Sequence, residues 1–321
     1  MPLMKTYYVV KPLIPRRVQL LLRRMRMRRM LPGCRHAWPV CPRAGRAPDG
    51  WTGWPGNKRF ALVLTHDVDT SRGQDRCERL VSIEEKLGLR SALFFVPERY
   101  SVSSSLRHQL VSRGFEIGVH GLKHDGKLYS SREVFENRAV RINHYLRQWN
   151  CCGFRSPAMH HNLDWLQRLD IAYDASTFDT DPFEPQPQGM GTIFPFHVPG
   201  NGDHDGYVDL PYTLPQDSTL FILMKEKGSG IWREKLDWVV RHGGMALMLT
   251  HPDYMEFDGR PAFDTYPAAH YQEFLEYVQS RYAGQYWHAL PRDVARFWLT
   301  HQTKQEELTD YAEPRGHTLH A

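Results

Sequence analysis

The sequence predicts an α/β fold built on a parallel sheet that curls toward a closed barrel, preceded by a basic helical segment. Two observations carry the prediction. Short apolar runs and helical stretches alternate about seven times, with no fixed-length repeat and no glycine-rich phosphate loop, and that count is nearer a barrel than an open sheet. Residue types suited to chemistry (Asp67, Asp69, His120, Arg155, His251) sit where apolar runs end, the place where such barrels carry their reactive groups.

The elements follow in order. Arg16 to Leu31, bounded by Pro15 and Pro32, has Val18, Leu21, Leu22 and Met25 at helical spacing with arginines between them. Two readings stay open for it: an amphipathic helix on an anionic membrane surface or a partner, and a helix packed on the outside of the main domain with solvated arginines. Residues 32–58, with five prolines and five glycines, read as an irregular connector. Phe60 to Leu64 is a continuous apolar run, as in a strand covered on both faces. Helix is expected from Gln74 to Leu87, strand from Ala92 to Val96, helix from Leu106 to Arg113 and strand from Phe115 to Val119. Helix Arg132 to Trp149 precedes a short strand, Cys152 to Arg155; then come helix Leu163 to Leu169 and strand Ala172 to Ser176. An aromatic, proline-rich excursion runs from Phe178 to Pro199, with strand Val208 to Pro211 after it. Helix Ile231 to His242, strand Met245 to Thr250 and helices near Ala268 to Arg281 and Arg292 to Leu299 complete the pattern. The division is therefore a basic extension and connector over 1–57, a barrel over 58–301 and a polar tail over 302–321.

Composition limits the partners and the compartment. At 321 residues, 41% hydrophobic, the chain can bury one large core. Residues 1–50 hold twelve Lys and Arg against Asp49 alone, a charge of +11 within a total of +5, so the remainder carries −6 and is a poor nucleic-acid surface. Five cysteines (Cys34, Cys41, Cys77, Cys151, Cys152) are odd in number, lack zinc-site spacing and include an adjacent pair, which favours a reducing compartment. With no secretory-type apolar core and no run long enough to span a bilayer, a cytoplasmic location is expected, peripheral to the inner membrane face if residues 16–31 bind lipid.

Thr65-His66-Asp67-Val68-Asp69 and His120-Gly-Leu-Lys-His124 together suit a divalent metal. Either aspartate can be the third ligand beside His120 and His124. Residues two apart on an extended segment face one side, so the other carboxylate stays free to take a proton from the attacking water. A lone His-x-x-x-His is usually structural, and its pairing with Asp-x-Asp at a separate strand end makes the metal reading much stronger.

Four ordered segments carry a family resemblance: Leu64-Thr-His66-Asp67-Val-Asp69, Phe115-Glu-Ile-Gly-Val-His120-Gly-Leu-Lys-His124-Asp125, Gly153-Phe-Arg155-Ser-Pro157 and Leu247-Met-Leu-Thr-His251-Pro252. Over about residues 58 to 255 the chain resembles the polysaccharide deacetylase superfamily, the NodB homology domain of carbohydrate esterase family four. The resemblance implies a distorted (β/α)7 barrel of the glycoside hydrolase/deacetylase type and one divalent metal ion, usually zinc, on Asp69, His120 and His124. It also implies Asp67 as general base, Arg155 orienting it, His251 as the acid for the leaving amine and the backbone N–H near Ala158 as an oxyanion donor. Asp209, in Val-Asp-Leu-Pro211, resembles the segment that supports the catalytic acid. The family's adjacent aspartates followed by glycine are here Asp67-Val-Asp69, so base and ligand are told apart only by analogy.

Other residues invite two readings each. His160 lines the cleft or is a solvated residue before the helix at Asn162. Asp174, Asp179 and Asp181 read as caps and turn formers. Trp51, Trp54, Phe178, Phe183, Phe194 and Phe196 offer sugar-stacking rings, although loop packing is the commoner use.

The implied reaction is hydrolysis of an N-acyl or O-acyl group on a sugar, the substrate being a cytoplasmic nucleotide- or lipid-linked precursor of a surface polysaccharide. The alternatives are hydrolysis of a non-sugar C–N bond of a cyclic amide or ureide, and a non-catalytic glycan-binding or scaffold barrel. Every group needed for turnover is present, which argues against the last. The sequence leaves oligomeric state open.

Overall fold

The computed structural model describes residues 14–202, 205–260 and 262–300. Its centre is β1 (Phe60–Val68), buried along all nine residues. On one edge β1 pairs in parallel with β8 (Met245–Thr250). On the other, Phe60 to Leu62 pair with β11 (Tyr286–His288) and Thr65 to Val68 pair with β2 (Ala92–Phe95). From β2 the sheet continues in parallel through β3 (Glu116–His120), β4 (Gly153–Arg155), β5 (Tyr173–Asp174) and β7 (Gly206–Asp209). It closes where Leu214 bridges Met248 and the N–H groups of Thr213 and Leu214 donate to the Leu247 carbonyl. Seven parallel strands thus ring the core as β1-β2-β3-β4-β5-β7-β8, a distorted (β/α)7 barrel.

Strand β1 runs past the apolar stretch that predicts it because each polar residue added is satisfied. Thr65 Oγ1 donates to the Met248 carbonyl, and the His66 ring nitrogens lie 2.7 Å from Thr250 Oγ1 and 2.7 Å from Glu84 Oε1. A buried polar group without such partners would cost on the order of 1–3 kcal/mol.

Outside the barrel lie α2 (Ser71–Lys86), α3 (Ser104–Ser112), α4 (Arg132–Trp149), α5 (Leu163–Leu166), α6 (Gly230–His242) and α7 (Ala269–Tyr282), with residues 291–300 also helical. Helix α4 shows how the sequence sets one. Ser131 accepts the Val134 N–H as N-cap, Asn150 ends the helix in the left-handed conformation, and Phe135, Ala139, Ile142 and Leu146 recur at helical spacing to cover Val119 and Phe154. Cys77, Val81 and Leu110 cover Val68, Leu93, Phe95 and Ile117 in the same way.

Helix α1 (Arg16–Cys34) lies against a π-helical turn, Ser218–Met224. It buries Leu20 and Met27 in the same core as the barrel strands, worth roughly 1.5–3 kcal/mol each. Trp38, Ala44 and Trp54 of the following segment join that core. The stripe Val18, Leu21, Leu22 and Met25 that suggested the helix faces outward instead. Trp54, Phe178 and Phe194 are buried, and Trp51 packs on Trp54, Phe194 and Trp298, so these rings serve packing. Four strands lacked a sequence signal: β11, the hairpin strand β6 (Phe196–Pro199) antiparallel to β7, and the paired β9 (Met255–Glu256) and β10 (Tyr266–Pro267). The tail predicted from residue 302 lies outside the described residues.

Candidate functional site

The carboxyl ends of β1, β3, β4 and β8 bring six side chains into one mouth. Asp67 is the eighth residue of β1 and Asp69 follows its end; both are buried. His120 closes β3, and His124 sits beyond a tight turn. That turn needs Gly121: its φ is +58°, and a Cβ there would lie 2.5 Å from Pro157 Cδ. His124 itself takes a φ of 53°, uncommon for a residue with a side chain.

One ligand-type atom from each of Asp69, His120 and His124 falls within 4.8 Å of the others. Asp69 Oδ1 lies 3.0 Å from His124 Nε2 and 3.4 Å from His120 Nε2, yet this buried oxygen has no well-formed hydrogen bond. His120 Nδ1 is 3.0 Å from the Arg155 carbonyl, which can only accept. The proton therefore sits on Nδ1, and the Nε2 lone pair faces Asp69. Two imidazole nitrogens and a carboxylate oxygen, one imidazole held in the ligating tautomer and one oxygen otherwise orphaned, fit a divalent cation. Asp67 stands just outside that set, its Oδ2 3.6 Å from His120 Nε2.

Asp67 is held by Arg155. The fully buried guanidinium donates from Nη1 to Asp67 Oδ1 (3.1 Å) and Thr65 Oγ1 (3.0 Å) and from Nε to the Ala175 carbonyl (2.8 Å), and it lies over the Phe94 ring. The three hydrogen bonds fix the plane of the fork and hence the carboxylate. Burial works against the Asp69 charge, but His124 and His120 outweigh it and hold this carboxyl well below its ordinary range.

His251, just after β8, is also buried. Its Nδ1 donates to Asp217 Oδ1 (2.7 Å), and its backbone N–H donates to Asp217 Oδ2 (2.8 Å), which also accepts from Tyr266 Oη (3.0 Å). Burial opposes protonation of the ring, yet the charge and hydrogen bond of Asp217, with Asp69 and Asp67 adding, push its pKa to about 10.

The carboxylate on His251 is thus Asp217, which corrects the sequence expectation of Asp209. Asp209 is paired in register with Asp174 on β5 and accepts from Thr177 Oγ1. Asp217 left one faint signal, an Asp ahead of Ser-Thr that reads as a helix cap, and it does accept the Ser218 N–H. Asp253 also escaped the sequence reading. Its carboxylate accepts the Asp69 N–H (2.9 Å) and the Thr70 hydroxyl, fastening the start of α2 beside the site. Gly73 makes room for it, since a Cβ there would meet Asp253 Oδ2 at 2.0 Å. Burial and the Asp69 charge push the Asp253 carboxyl up to about 6.

Ala158 lies on the turn after β4 with φ 56°, and its neighbour His160 lines a small hollow with Lys123, His124 and Tyr129. Asp179 and Asp181 are more than turn formers: both are buried, Asp179 against Lys235 Nζ and Asp181 against Tyr212 Oη.

No family model and no curated protein matches the sequence. Solved structures do match. One is a protein of Mycobacterium smegmatis assigned as a polysaccharide deacetylase (TM-score 0.59, 18% identity, covering 80% of this chain and 96% of that one). Another is the allantoinase PuuE (TM-score 0.57, 18% identity, 77% and 92%). A third, from Pseudomonas aeruginosa PAO1, is also assigned as a polysaccharide deacetylase (TM-score 0.56, 17% identity, 77% and 93%). At these identities the likeness speaks for architecture, and it spans nearly the whole of each matched chain. The chain has the polysaccharide deacetylase fold.

Proposed function

We propose that the protein is a metal-dependent hydrolase that removes an N-acyl or O-acyl group from a carbohydrate, a precursor in surface polysaccharide metabolism. The observation that carries this is the convergence of Asp69, His120 and His124 beside two separately held proton-transfer groups, Asp67 on Arg155 and His251 on Asp217. Asp69, His120 and His124 would hold the ion, with zinc favoured by two imidazoles and one carboxylate. When bound, a divalent ion supplies Lewis acidity to the acyl carbonyl and to water.

The chain's own residues supply the rest. Asp67, kept in place by Arg155, accepts the proton of the water whose oxygen adds to the acyl carbon. The N–H near Ala158 donates to the developing oxyanion. As the C–N bond breaks, His251 gives its proton to the leaving nitrogen, and Asp217 keeps the ring charged until then. The products are a carboxylic acid and an amine. For an ester the same proton goes to the leaving oxygen.

A second reading, hydrolysis of a cyclic amide or ureide C–N bond, is favoured by the comparable fold match to an allantoinase. Metal analysis with His120→Ala and Asp69→Ala tests the centre: a stoichiometric ion in the parent and its loss in both variants is expected, and unchanged metal content in both would refute it. Release of acetate or formate from N-acyl sugar nucleotides and lipid-linked sugars, set against ring opening of cyclic ureides, separates the two substrate classes.

A further inference from the structure

Helix α1 turns its apolar stripe away from the protein. Leu20 and Met27 face inward, and Arg24 on the same side donates from Nε to the Ile222 carbonyl (2.9 Å) and from Nη2 to the Phe263 carbonyl (3.0 Å). On the opposite side Val18, Leu21, Leu22 and Met25 are 43%, 55%, 52% and 44% exposed. Their i, i+3, i+4, i+7 spacing places all four in one ridge. Phe263, 37% exposed and under the Arg17 guanidinium at 5.1 Å, extends it. Among the described residues seven large apolar side chains are exposed, and five of them lie here, which separates this patch from ordinary scattered exposure.

The charge around the ridge has one sign. The helix holds seven arginines and no acid. With Arg24 turned inward, the other six (Arg16, Arg17, Arg23, Arg26, Arg28, Arg29) are exposed. Apolar side chains flanked by arginines match the layered chemistry of an anionic bilayer surface, acyl chains below and phosphates above. An acidic protein groove would answer the arginines without needing an outward ridge.

The same helix stands one layer from the candidate site. It packs on the π-helical turn that begins at Ser218, next to Asp217, the residue holding His251. The charges of Arg16 and Arg23 act on Tyr254, whose ring centroid is 5.0 Å from that of His251.

We propose that α1 docks the protein on an anionic membrane surface, with the Val18, Leu21, Leu22 and Met25 ridge in the headgroup layer and the surrounding arginines on lipid phosphates. The mouth of the site is then carried to that surface. Resting on the hydrolase reading above, the acyl sugar is one presented on a lipid.

Sedimentation of the full chain with vesicles tests this. Binding to phosphatidylcholine mixed with phosphatidylglycerol should exceed binding to phosphatidylcholine alone by at least ~10-fold, since each basic residue near such a surface is worth about fivefold, and high salt should weaken it. The triple variant Leu21→Ser, Leu22→Ser, Met25→Ser should lose at least ~10-fold of the anionic binding with its thermal transition unmoved. Arg26→Gln with Arg29→Gln should lose a comparable amount. Equal binding to both vesicles, no binding, or a triple variant that binds like the parent would overturn the proposal. So would a dimer in solution that the triple variant converts to monomer, since the ridge would then be a protein interface. Hydrolysis of a soluble N-acetyl sugar by the triple variant should match the parent. If the parent hydrolyses no acyl sugar but still binds anionic vesicles, the hydrolase reading fails and the docking stands.

Discussion

At the end of β1 the carboxylates face a guanidinium and two imidazoles, whereas those at the ends of β5 and β7 face each other. Asp67 lies against Arg155, and Asp69 against two imidazoles that hold it well below the ordinary range although burial pushes the other way. Across the barrel, burial first and then the charge of Asp174 hold the Asp209 carboxyl well above its ordinary range, and burial raises Asp174 too. A neutral Asp209 can donate its proton to Asp174, so the pair is stable with one negative charge. The neighbouring acids follow: Asp179 and Asp181 are pushed to about 6 and Glu184 to about 8, in each case mainly by burial. Lys235 restrains Asp179 without cancelling the cost. Depth is similar in the two halves. What differs is the balance: at Asp69 the two imidazoles outweigh burial, at Asp179 burial outweighs even Lys235, and at Asp209 a second carboxylate adds to it.

The sharpest way to break this contrast is to neutralise one aspartate in each half. Asp67→Asn should lower kcat by about 10²- to 10⁴-fold, the usual value of a general base, with bound metal retained. Asp209→Asn should cost less than about threefold, because an amide N–H can donate to Asp174 as the protonated acid does. Steady-state acyl release from both variants measures this; equal losses would erase the distinction between the halves.

Asp217→Asn probes the cationic half through its acid. Removing the negative partner favours the neutral ring, so the His251 pKa falls from about 10. Protonated acid is then lost at a lower pH, and the alkaline limb of the kcat profile should move down by about two units or more. The rate near pH 6 should change less than the rate near pH 9, by about tenfold or more. A profile scaled uniformly at every pH would mean that Asp217 only positions the ring.

Glu184→Gln sharpens the other half. The Glu184 pKa is raised in the fold, so its contribution to stability is complete below the unfolded value near 4.5 and is lost as pH rises through about 8. Over that window the parent should lose on the order of 2–4 kcal/mol from this group. The variant, which cannot ionise, should show a flatter dependence of Tm on pH. Parallel curves for the two proteins would show that Glu184 is not the titrating group.

Much of the barrel was legible because parallel strands covered on both faces read as unbroken apolar runs. Met245 to Thr250 and Arg132 to Trp149 were found to the residue. Ends were missed where polar residues continue a strand on buried partners, as His66 does with Glu84 and Thr250. Strand β11 was missed because Tyr286 to His288 is short and half-exposed, and it earns its place only by filling the gap beside the lower end of β1. Asp69, His120 and His124 were singled out by type and position, and the geometry brings them together. Asp217 was not, since it meets His251 across 34 residues of chain and carries only a cap-like local signature.

The sequence by itself determined the alternation of strand and helix, the strand-end placement of the reactive residues and the basic character of the first helix. All three follow from local periodicity and residue type. Tertiary structure alone decided which carboxylate supports His251, which acids are paired with cations and which with each other, and which face of α1 is buried. Those outcomes depend on contacts between segments distant in the chain. Spacing puts Val18, Leu21, Leu22 and Met25 on one side of a helix; only the core that takes in Leu20 and Met27, and the Ile222 and Phe263 carbonyls that accept the Arg24 fork, decided that this side looks outward.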